Sequence, residues 1–103
     1  MKKVIDKKVY NTETAELVAS FRNMDNRTNF RFFEEELYVT KKGAFFLYGE
    51  GNALSQYSIP NGNGSSGGED IVVLTAEETY DWLEKYNQTE AIEEYFADNL
   101  EEA

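Results

Sequence analysis

The segment from Leu37 to Tyr48 constrains the fold of this chain more than any other stretch of the sequence. It runs Leu-Tyr-Val-Thr, then Lys-Lys-Gly, then Ala-Phe-Phe-Leu-Tyr, so that two arms rich in aromatic and β-branched residues flank a short loop. Glycine in such a loop tolerates the positive φ angle that a three-residue hairpin connection requires. The sequence therefore predicts a β-hairpin over residues 37–48, with its turn at residues 41–43.

The register of this hairpin divides its side chains between two faces. If Thr40 lies opposite Ala44, alternation along both arms assigns every other residue to the same face. The first face is wholly apolar and is expected to be core; it comprises Leu37, Val39, Phe45 and Leu47. The second face is aromatic; it comprises Tyr38, Phe46 and Tyr48. Two interpretations of the second face stay open, because it could lie under helices or form an exposed binding surface. Truncating Phe45 is expected to cost more stability than truncating Phe46, unless helices cover the second face.

The C-terminal third of the sequence predicts two helices. Residues 75–78 are Thr-Ala-Glu-Glu, a capping box in which Thr75 and Glu78 satisfy each other's backbone amides. Residues 87–90 are expected to end this helix and to start a second one with the same cap pattern. The apolar stripes of the two helices comprise Ala76, Tyr80, Leu83 and Tyr86, then Ile92, Tyr95, Phe96 and Leu100.

Shorter strands and loops are predicted around the central hairpin. Residues 2–10 indicate two short strand arms with a turn between them, and residues 17–21 indicate a further strand. The continuous apolar run over residues 71–74 is typical of a central strand covered on both faces. Residues 61–68 are only Asn, Gly and Ser, which predicts a flexible surface loop because such residues lose much entropy on ordering and bury little.

The order of these elements indicates the fold class. A small, mainly antiparallel sheet of roughly three to five strands comes first, and two helices packed on one face come last, which predicts an α+β sandwich. A chain of 103 residues has room for one core, so we expect a single domain over residues 1–103. Hydrophobic residues make up 41% of the chain and aromatic residues 15%, enough to form a core despite the acidity of the sequence.

The absence of histidine and cysteine restricts the chemistry that the chain can perform. Histidine is the usual general base and the commonest zinc ligand, and cysteine would supply thiolate metal ligands. Glu34, Glu35 and Glu36 could include one catalytic carboxylate, but nothing in the sequence places a second carboxylate opposite them, so they are interpreted as solvated charge. We therefore expect no enzymatic activity, no cofactor and no metal site.

The N-terminal sequence predicts a cytoplasmic protein. Residues 1–8 are basic, but they lack an apolar run of signal-peptide length. No stretch of the sequence approaches the roughly 20 apolar residues of a membrane span, so no membrane partner is expected. The absence of cysteine also suits a reducing compartment.

The distribution of charge is the strongest functional indication in the sequence. Residues 1–68 carry nine Lys and Arg against eight Asp and Glu, whereas residues 69–103 carry one lysine against twelve acidic residues. Because the apolar positions of the helices are committed to the core, the helical carboxylates must share the outward faces. These candidate partner-binding residues are Glu77, Glu78, Asp81, Glu84, Glu90, Glu93, Glu94 and Asp98.

Four interpretations of the surface follow. An acidic face repels nucleic acid and attracts the basic grooves of proteins that bind nucleic acid, or it only keeps the domain soluble. Alternatively, the partner-binding residues are aromatic and lie on the hairpin, in which case they are Tyr38, Phe46 and Tyr48. Aromatic residues interspersed with Arg27, Arg31, Lys41 and Lys42 could also stack on single-stranded nucleic acid, although the overall charge opposes this.

Residues 39–57 carry a resemblance to known proteins. This run, from Val-Thr-Lys-Lys-Gly to Ser-Gln-Tyr, resembles a segment of small uncharacterised acidic proteins carried by conjugative elements and phages of Gram-positive bacteria. In those proteins a Gly-Ser-rich loop, an apolar strand and an acidic helix that starts with threonine follow the segment, as they do here. The resemblance implies a mobile genetic element, in which small proteins often defend the element or regulate its transfer.

Together these patterns predict a non-enzymatic acidic binding protein of a mobile element. In its sharpest form the hypothesis is a DNA mimic that inhibits a defence system, as an anti-CRISPR or anti-restriction protein. Its partner would be a basic protein that handles nucleic acid, with no direct binding to nucleic acid. The alternative is a regulatory or structural interaction module that binds through the aromatic hairpin face, with the acidic residues serving solubility only.

Overall fold

A computed structural model describes residues 1–102 of the chain. In chain order the strands are β1 (Lys2–Ile5), β2 (Lys8–Asn11), β3 (Glu16–Arg22), β4 (Phe33–Val39), β5 (Phe45–Gly51), β6 (Ile59–Asn61), β7 (Gly64–Ser66) and β8 (Gly68–Leu74). They are followed by the helices α1 (Ala76–Lys85) and α2 (Thr89–Tyr95) and by a short 3₁₀ turn over Ala97–Asn99. Strands β3, β4, β5 and β8 form one antiparallel sheet in that order, and β1–β2 and β6–β7 form separate hairpins. The predicted α+β class is confirmed.

Strands β4 and β5 form the central hairpin in the predicted register. Leu37 lies opposite Leu47, and Tyr38 lies opposite Phe46. Gly43 closes the turn with a φ angle of 87°, in the left-handed region that glycine adopts without a steric penalty. Alternation along the two arms was therefore sufficient to assign the register, because a shift of one residue would exchange the two faces.

The first face of the hairpin is core, as predicted. Leu37 and Leu47 pack there against Leu83 of α1 and Ile92 of α2. The capping box at the start of α1 is confirmed, with the hydroxyl of Thr75 accepting from the Glu78 amide at 3.1 Å. This face of the sheet and the two helices thus form one apolar layer.

The connection between the helices differs from the prediction. Asn87 adopts a φ angle of 54°. The amides of Asn87 and Gln88 donate to the carbonyls of Glu84 and Leu83, which is the Schellman pattern of a helix C-terminus. The chain then enters α2 at once, with Gln88 as an N-cap that makes no side-chain hydrogen bond, so the second predicted cap is wrong. The prediction that the apolar stripe of the second helix extends to Leu100 is also wrong, because α2 ends at Tyr95 and Leu100 is exposed.

The second face of the hairpin is covered by the β1–β2 hairpin rather than by helices or solvent. Phe46 is 0% exposed, and its ring meets Tyr10 edge-on at 5.5 Å and Tyr38 in a stack at 5.4 Å. Ile71 of β8 completes this second cluster. Since Phe45 is only partly buried and Phe46 is completely buried, the structure predicts the larger loss of stability for truncation of Phe46. The sheet therefore has apolar layers on both sides.

Two predictions about the segment between residues 61 and 74 need correction. The apolar run 71–74 lies in β8, which is an edge strand of the sheet, and Val72 is 41% exposed. A continuous apolar run cannot distinguish an edge strand from a central one, because neighbours decide the coverage. The segment 61–68, expected to be a flexible loop, instead contributes to the β6–β7 hairpin and to the start of β8, although most of it is exposed.

Glu35 is buried between the sheet and α1, which corrects the interpretation of Glu34–Glu36 as solvated charge. Its side chain is 7% exposed and accepts a hydrogen bond from Trp82 Nε1 at 3.0 Å and another from the hydroxyl of Tyr57. A Cβ atom at Gly49 would collide with the Tyr57 ring, so this strand position needs glycine. The buried carboxylate therefore ties α1 and the loop after β5 to the sheet.

Among the described residues, no helix has the length and apolar character needed to cross a membrane.

Candidate functional site

The predicted acidic residues all lie exposed on the two helices and the 3₁₀ turn that follows them. This acidic helical surface comprises Glu77, Glu78, Asp81, Glu84, Glu90, Glu93, Glu94 and Asp98. The opposite sides of the helices bury Thr79, Leu83 and Ile92. Burial of one side and exposure of the other follow from the helical period of 3.6 residues, as the sequence predicted.

On α1 the carboxylates form a line along the helix. Glu77, Asp81 and Glu84 are separated by four and three residues, so they lie on one side of the helix and span about 10 Å of its axis. The fourth, Glu78, also accepts a hydrogen bond from the Thr75 amide at 2.9 Å. Its charge remains at the helix N-terminus, where the helix dipole favours it.

On α2 the carboxylates are clustered more closely. Glu90 and Glu94 are one turn apart, and Glu93 lies beside them, while Asp98 follows in the 3₁₀ turn. Burial raises the pKa of Tyr95, and the charges of Glu16 and Glu94 raise it further. The negative potential of this surface is therefore felt by a neighbouring tyrosine.

Very few cations neutralise this surface. Lys85 is the one cation on the two helices, and its ammonium group lies 5.2 Å from the centre of the Tyr86 ring. Within residues 1–102 the ion pairs involve Asp25, Glu34 and Asp70, and none involves a carboxylate of the acidic helical surface. These carboxylates are therefore available to an external partner.

A second row of carboxylates lies on the sheet face that β1–β2 covers in part. Glu34, Glu50 and Glu69 occupy neighbouring positions on β4, β5 and β8. Arg27 pairs with Glu34 at 3.1 Å, and the Tyr48 hydroxyl lies 2.6 Å from Glu69 and 3.1 Å from Glu50. Burial, together with these hydrogen bonds, raises the pKa of Tyr48. The sequence does not reveal this row, because only the strand register brings its members together.

No metal centre is formed by these carboxylates in the described structure. Across residues 1–102, no group of three acidic side chains is arranged so that it could hold a metal ion. The Glu35 carboxylate is likewise held by Trp82 and Tyr57 inside the core.

The alternative binding residues on the aromatic hairpin face are not an open surface. Phe46 is completely buried, Tyr38 is buried beside it, and Tyr48 is partly buried with its hydroxyl bound to carboxylates. Of the two interpretations left open for this face, neither helices nor open solvent applies, because the β1–β2 hairpin occupies that side of the sheet. The structure thus leaves the acidic helical surface as the more accessible of the two predicted interfaces.

Comparisons with known proteins add no further assignment. No family model, no curated protein and no solved structure matches this chain.

Proposed function

We propose that this protein is a non-enzymatic acidic binding protein that mimics DNA. Its acidic helical surface occupies the basic nucleic-acid-binding groove of a partner protein in the cytoplasm. In a mobile genetic element this activity would inhibit a host defence system, as an anti-CRISPR or anti-restriction inhibitor does. The partner is a basic, nucleic-acid-handling protein, and the chain itself binds no nucleic acid through this surface.

The observation that carries the proposal is a set of eight exposed carboxylates, none of them in an ion pair, on two adjoining helices. Along α1 the line of Glu77, Asp81 and Glu84 places three carboxylates in about 10 Å, or roughly one charge per 5 Å of axis, and Glu78 adds a fourth charge beside this line. One strand of duplex DNA carries about one charge per 3.4 Å. A basic groove that evolved to hold phosphates would therefore meet a similar density of negative charge.

The anchoring of α1 favours recognition by a fixed surface. The capping box orders its first turn, and the Asn87 turn ends it. Trp82 is 8% exposed and donates its indole N–H to Glu35 on the sheet. A charged surface that is already ordered loses less entropy on binding than a mobile acidic tail would.

The remaining parts of the proposal come from the sequence. A chain without histidine and cysteine lacks the residues most often used as general base, nucleophile activator and zinc ligand, which favours a binding role. The resemblance of residues 39–57 to proteins of conjugative elements and phages supplies the biological setting. A net charge of −10 supports long-range attraction to a basic partner.

The test compares the wild type with a variant carrying Asp81→Asn, Glu84→Gln, Glu93→Gln and Glu94→Gln. Each protein is immobilised, exposed to a bacterial cytosolic extract at low salt and then washed with excess duplex DNA. We expect the wild type to retain proteins that the DNA releases, with retention falling steeply between low and moderate salt. The variant should lose this retention, because many weak charge contacts act together.

A matched control removes the same number of exposed charges elsewhere, through Asp6→Asn, Glu13→Gln, Asp25→Asn and Glu69→Gln. We expect this control to retain the same proteins as the wild type. If the helical variant retains them equally well, or if duplex DNA releases nothing, the acidic surface serves solubility only and the proposed function is wrong. Inhibition of DNA cleavage by purified RNA-guided nucleases and restriction enzymes then tests the anti-defence role directly.

A further inference from the structure

A groove of about 530 Å³ lies between the turn of the β1–β2 hairpin and the turn of the β4–β5 hairpin. Lys7 and Lys8 line it from the first turn, and Lys41 and Lys42 line it from the second. All four side chains are exposed, and within residues 1–102 none of them pairs with a carboxylate. This lysine groove therefore gathers four of the ten cations of an acidic chain.

The other polar groups of the lysine groove are also donors. The side-chain oxygen of Asn11 accepts from the Glu13 amide at 2.9 Å, which leaves its NH₂ group to donate. The hydroxyl oxygen of Thr40 accepts from the Ala44 amide at 3.1 Å, which leaves its proton to donate. No carboxylate of the described residues lines the groove. A lining of ammonium, amide and hydroxyl donors is complementary to an anion.

The lysine groove is built on an ordered floor. Tyr10 lines it and is itself buried against Phe46, which ties the β1–β2 hairpin to the sheet. The turn of that hairpin places Asp6 and Lys7 at φ angles of 51° and 66°, a conformation that residues other than glycine adopt at a steric cost. The hairpin thus holds Lys7 at the edge of the groove by its backbone conformation.

We propose that the lysine groove binds a small ligand with two or more phosphate groups, of the size of a nucleoside diphosphate or triphosphate. Its volume falls within the range of roughly 300–1,000 Å³ that is typical of small-molecule sites. Lysine is a compact charge well suited to phosphate. Val9, which is 57% exposed, and Ala44 supply an apolar wall for the organic part of the ligand.

The charge of the whole molecule favours a small ligand over a nucleic acid strand. A strand that extended beyond the groove would meet the field of a protein with a net charge of −10. A ligand confined to the groove is shielded from distant carboxylates, because charges separated by more than about 8 Å are largely screened at physiological salt. The lysine groove shares no residue with the acidic helical surface, so this inference does not depend on the proposed function.

The test titrates the intact protein with ADP, pyrophosphate and adenosine in the presence of EDTA, by calorimetry and by amide chemical shifts. We expect ADP and pyrophosphate to bind and adenosine not to bind, because phosphate supplies the recognised charge. The shift changes should centre on Tyr10, Thr40 and Ala44. Failure of ADP and pyrophosphate to bind, or shift changes centred elsewhere, would overturn the proposal.

Variants then locate the site. Lys41→Gln with Lys42→Gln, and separately Lys7→Gln with Lys8→Gln, should each weaken ADP binding by roughly 10-fold or more, since each pair removes two of four charge-assisted contacts. The matched control, Arg31→Gln with Lys85→Gln, removes two exposed cations elsewhere and should change affinity by less than about 2-fold. Equal losses in the control and the groove variants would mean that net charge alone binds the ligand, which contradicts the proposal.

A short single-stranded oligonucleotide distinguishes the source of the phosphate. We expect a thymidine hexanucleotide to bind more weakly than ADP, because most of its phosphates would lie outside the groove. Tighter binding of the hexanucleotide, lost in the same lysine variants, would assign the groove to nucleic acid and overturn the small-ligand proposal. The helical variant that lacks four carboxylates should bind ADP as the wild type does, which separates this test from that of the acidic surface.

Discussion

The two faces of the central sheet carry covers of opposite charge. On one face lie the helices and the residues that follow them, where residues 75–102 include ten carboxylates and one lysine. On the other face lies the β1–β2 hairpin, where residues 2–11 include four lysines and one aspartate. Each cover is held by its own apolar cluster, one around Leu83 and the other around Phe46.

The two covers differ in shape as well as in the sign of their charge. The helical carboxylates line convex helices, so they suit a partner that supplies a concave basic groove. The lysines lie around a groove of the protein itself, so they suit a ligand that enters it. The two proposals therefore assign a different mode of binding to each cover.

The largest expected effect is the loss of stability when the apolar cluster under the β1–β2 hairpin is truncated. Phe46→Ala should destabilise the protein by about 3–5 kcal/mol, because it removes a completely buried ring and leaves a cavity. Phe45→Ala, which truncates a partly buried ring next to Tyr95 and Phe96, should cost less. Urea denaturation measures both losses. If Phe45→Ala costs as much as Phe46→Ala, the second face is not an independent core.

A second test concerns the attachment of the helices to the first face. Glu35→Ala should cost about 2–3 kcal/mol of unfolding free energy, because it leaves the buried indole N–H of Trp82 and the hydroxyl of Tyr57 without an acceptor. The neighbouring Glu34→Ala removes an ion pair with Arg27 near the surface and should cost less than about 1 kcal/mol. Equal losses at the two positions would show that Glu35 does not anchor α1.

The smallest effect is a dependence of stability on alkaline pH. Burial raises the pKa of Tyr57, and its hydrogen bond to Glu35 raises it further. The folded protein therefore holds this proton more tightly than the unfolded chain, in which the pKa is about 10. The resulting stability is complete below pH 10 and is lost above it, by up to about 1.4 kcal/mol per pH unit.

The comparison of wild type with Tyr57→Phe isolates this contribution. The variant lacks the ionisable hydroxyl, so its unfolding free energy should fall less steeply between pH 10 and pH 11. Tyr48→Phe provides the counterpart on the opposite face, where the hydroxyl binds the more exposed Glu69. A Tyr57→Phe variant that loses stability as steeply as the wild type would contradict a tightly held proton at this position.

The hairpin register, the α+β class and the capping box could all be predicted because they depend on neighbours in the sequence. Alternation specified which residues of β4 face those of β5, and the Thr75 to Glu78 spacing specified the start of α1. The exposure of the helical carboxylates followed from the same local periodicity. The candidate acidic surface was therefore visible before any tertiary contact was considered.

The parts that could not be predicted depend on distant partners. Three consecutive glutamates carry no indication that Glu35 meets Trp82, which is 47 residues away along the chain. The exposure of Val72 results from the place of β8 at the sheet edge, and its apolar sequence favoured the opposite conclusion. Residues 61 and 64–66, whose composition indicated a loop, take part in the β6–β7 hairpin.

By itself, the sequence determined the local elements and the concentration of negative charge in the C-terminal third, because both depend only on residue type and spacing. Only the tertiary structure decided what covers each face of the sheet. The lysine groove illustrates this, since Lys7 and Lys8 are more than 30 residues from Lys41 and Lys42 in the sequence. They meet because Tyr10 packs on Phe46, and a long-range contact of this kind leaves no periodic pattern in the sequence.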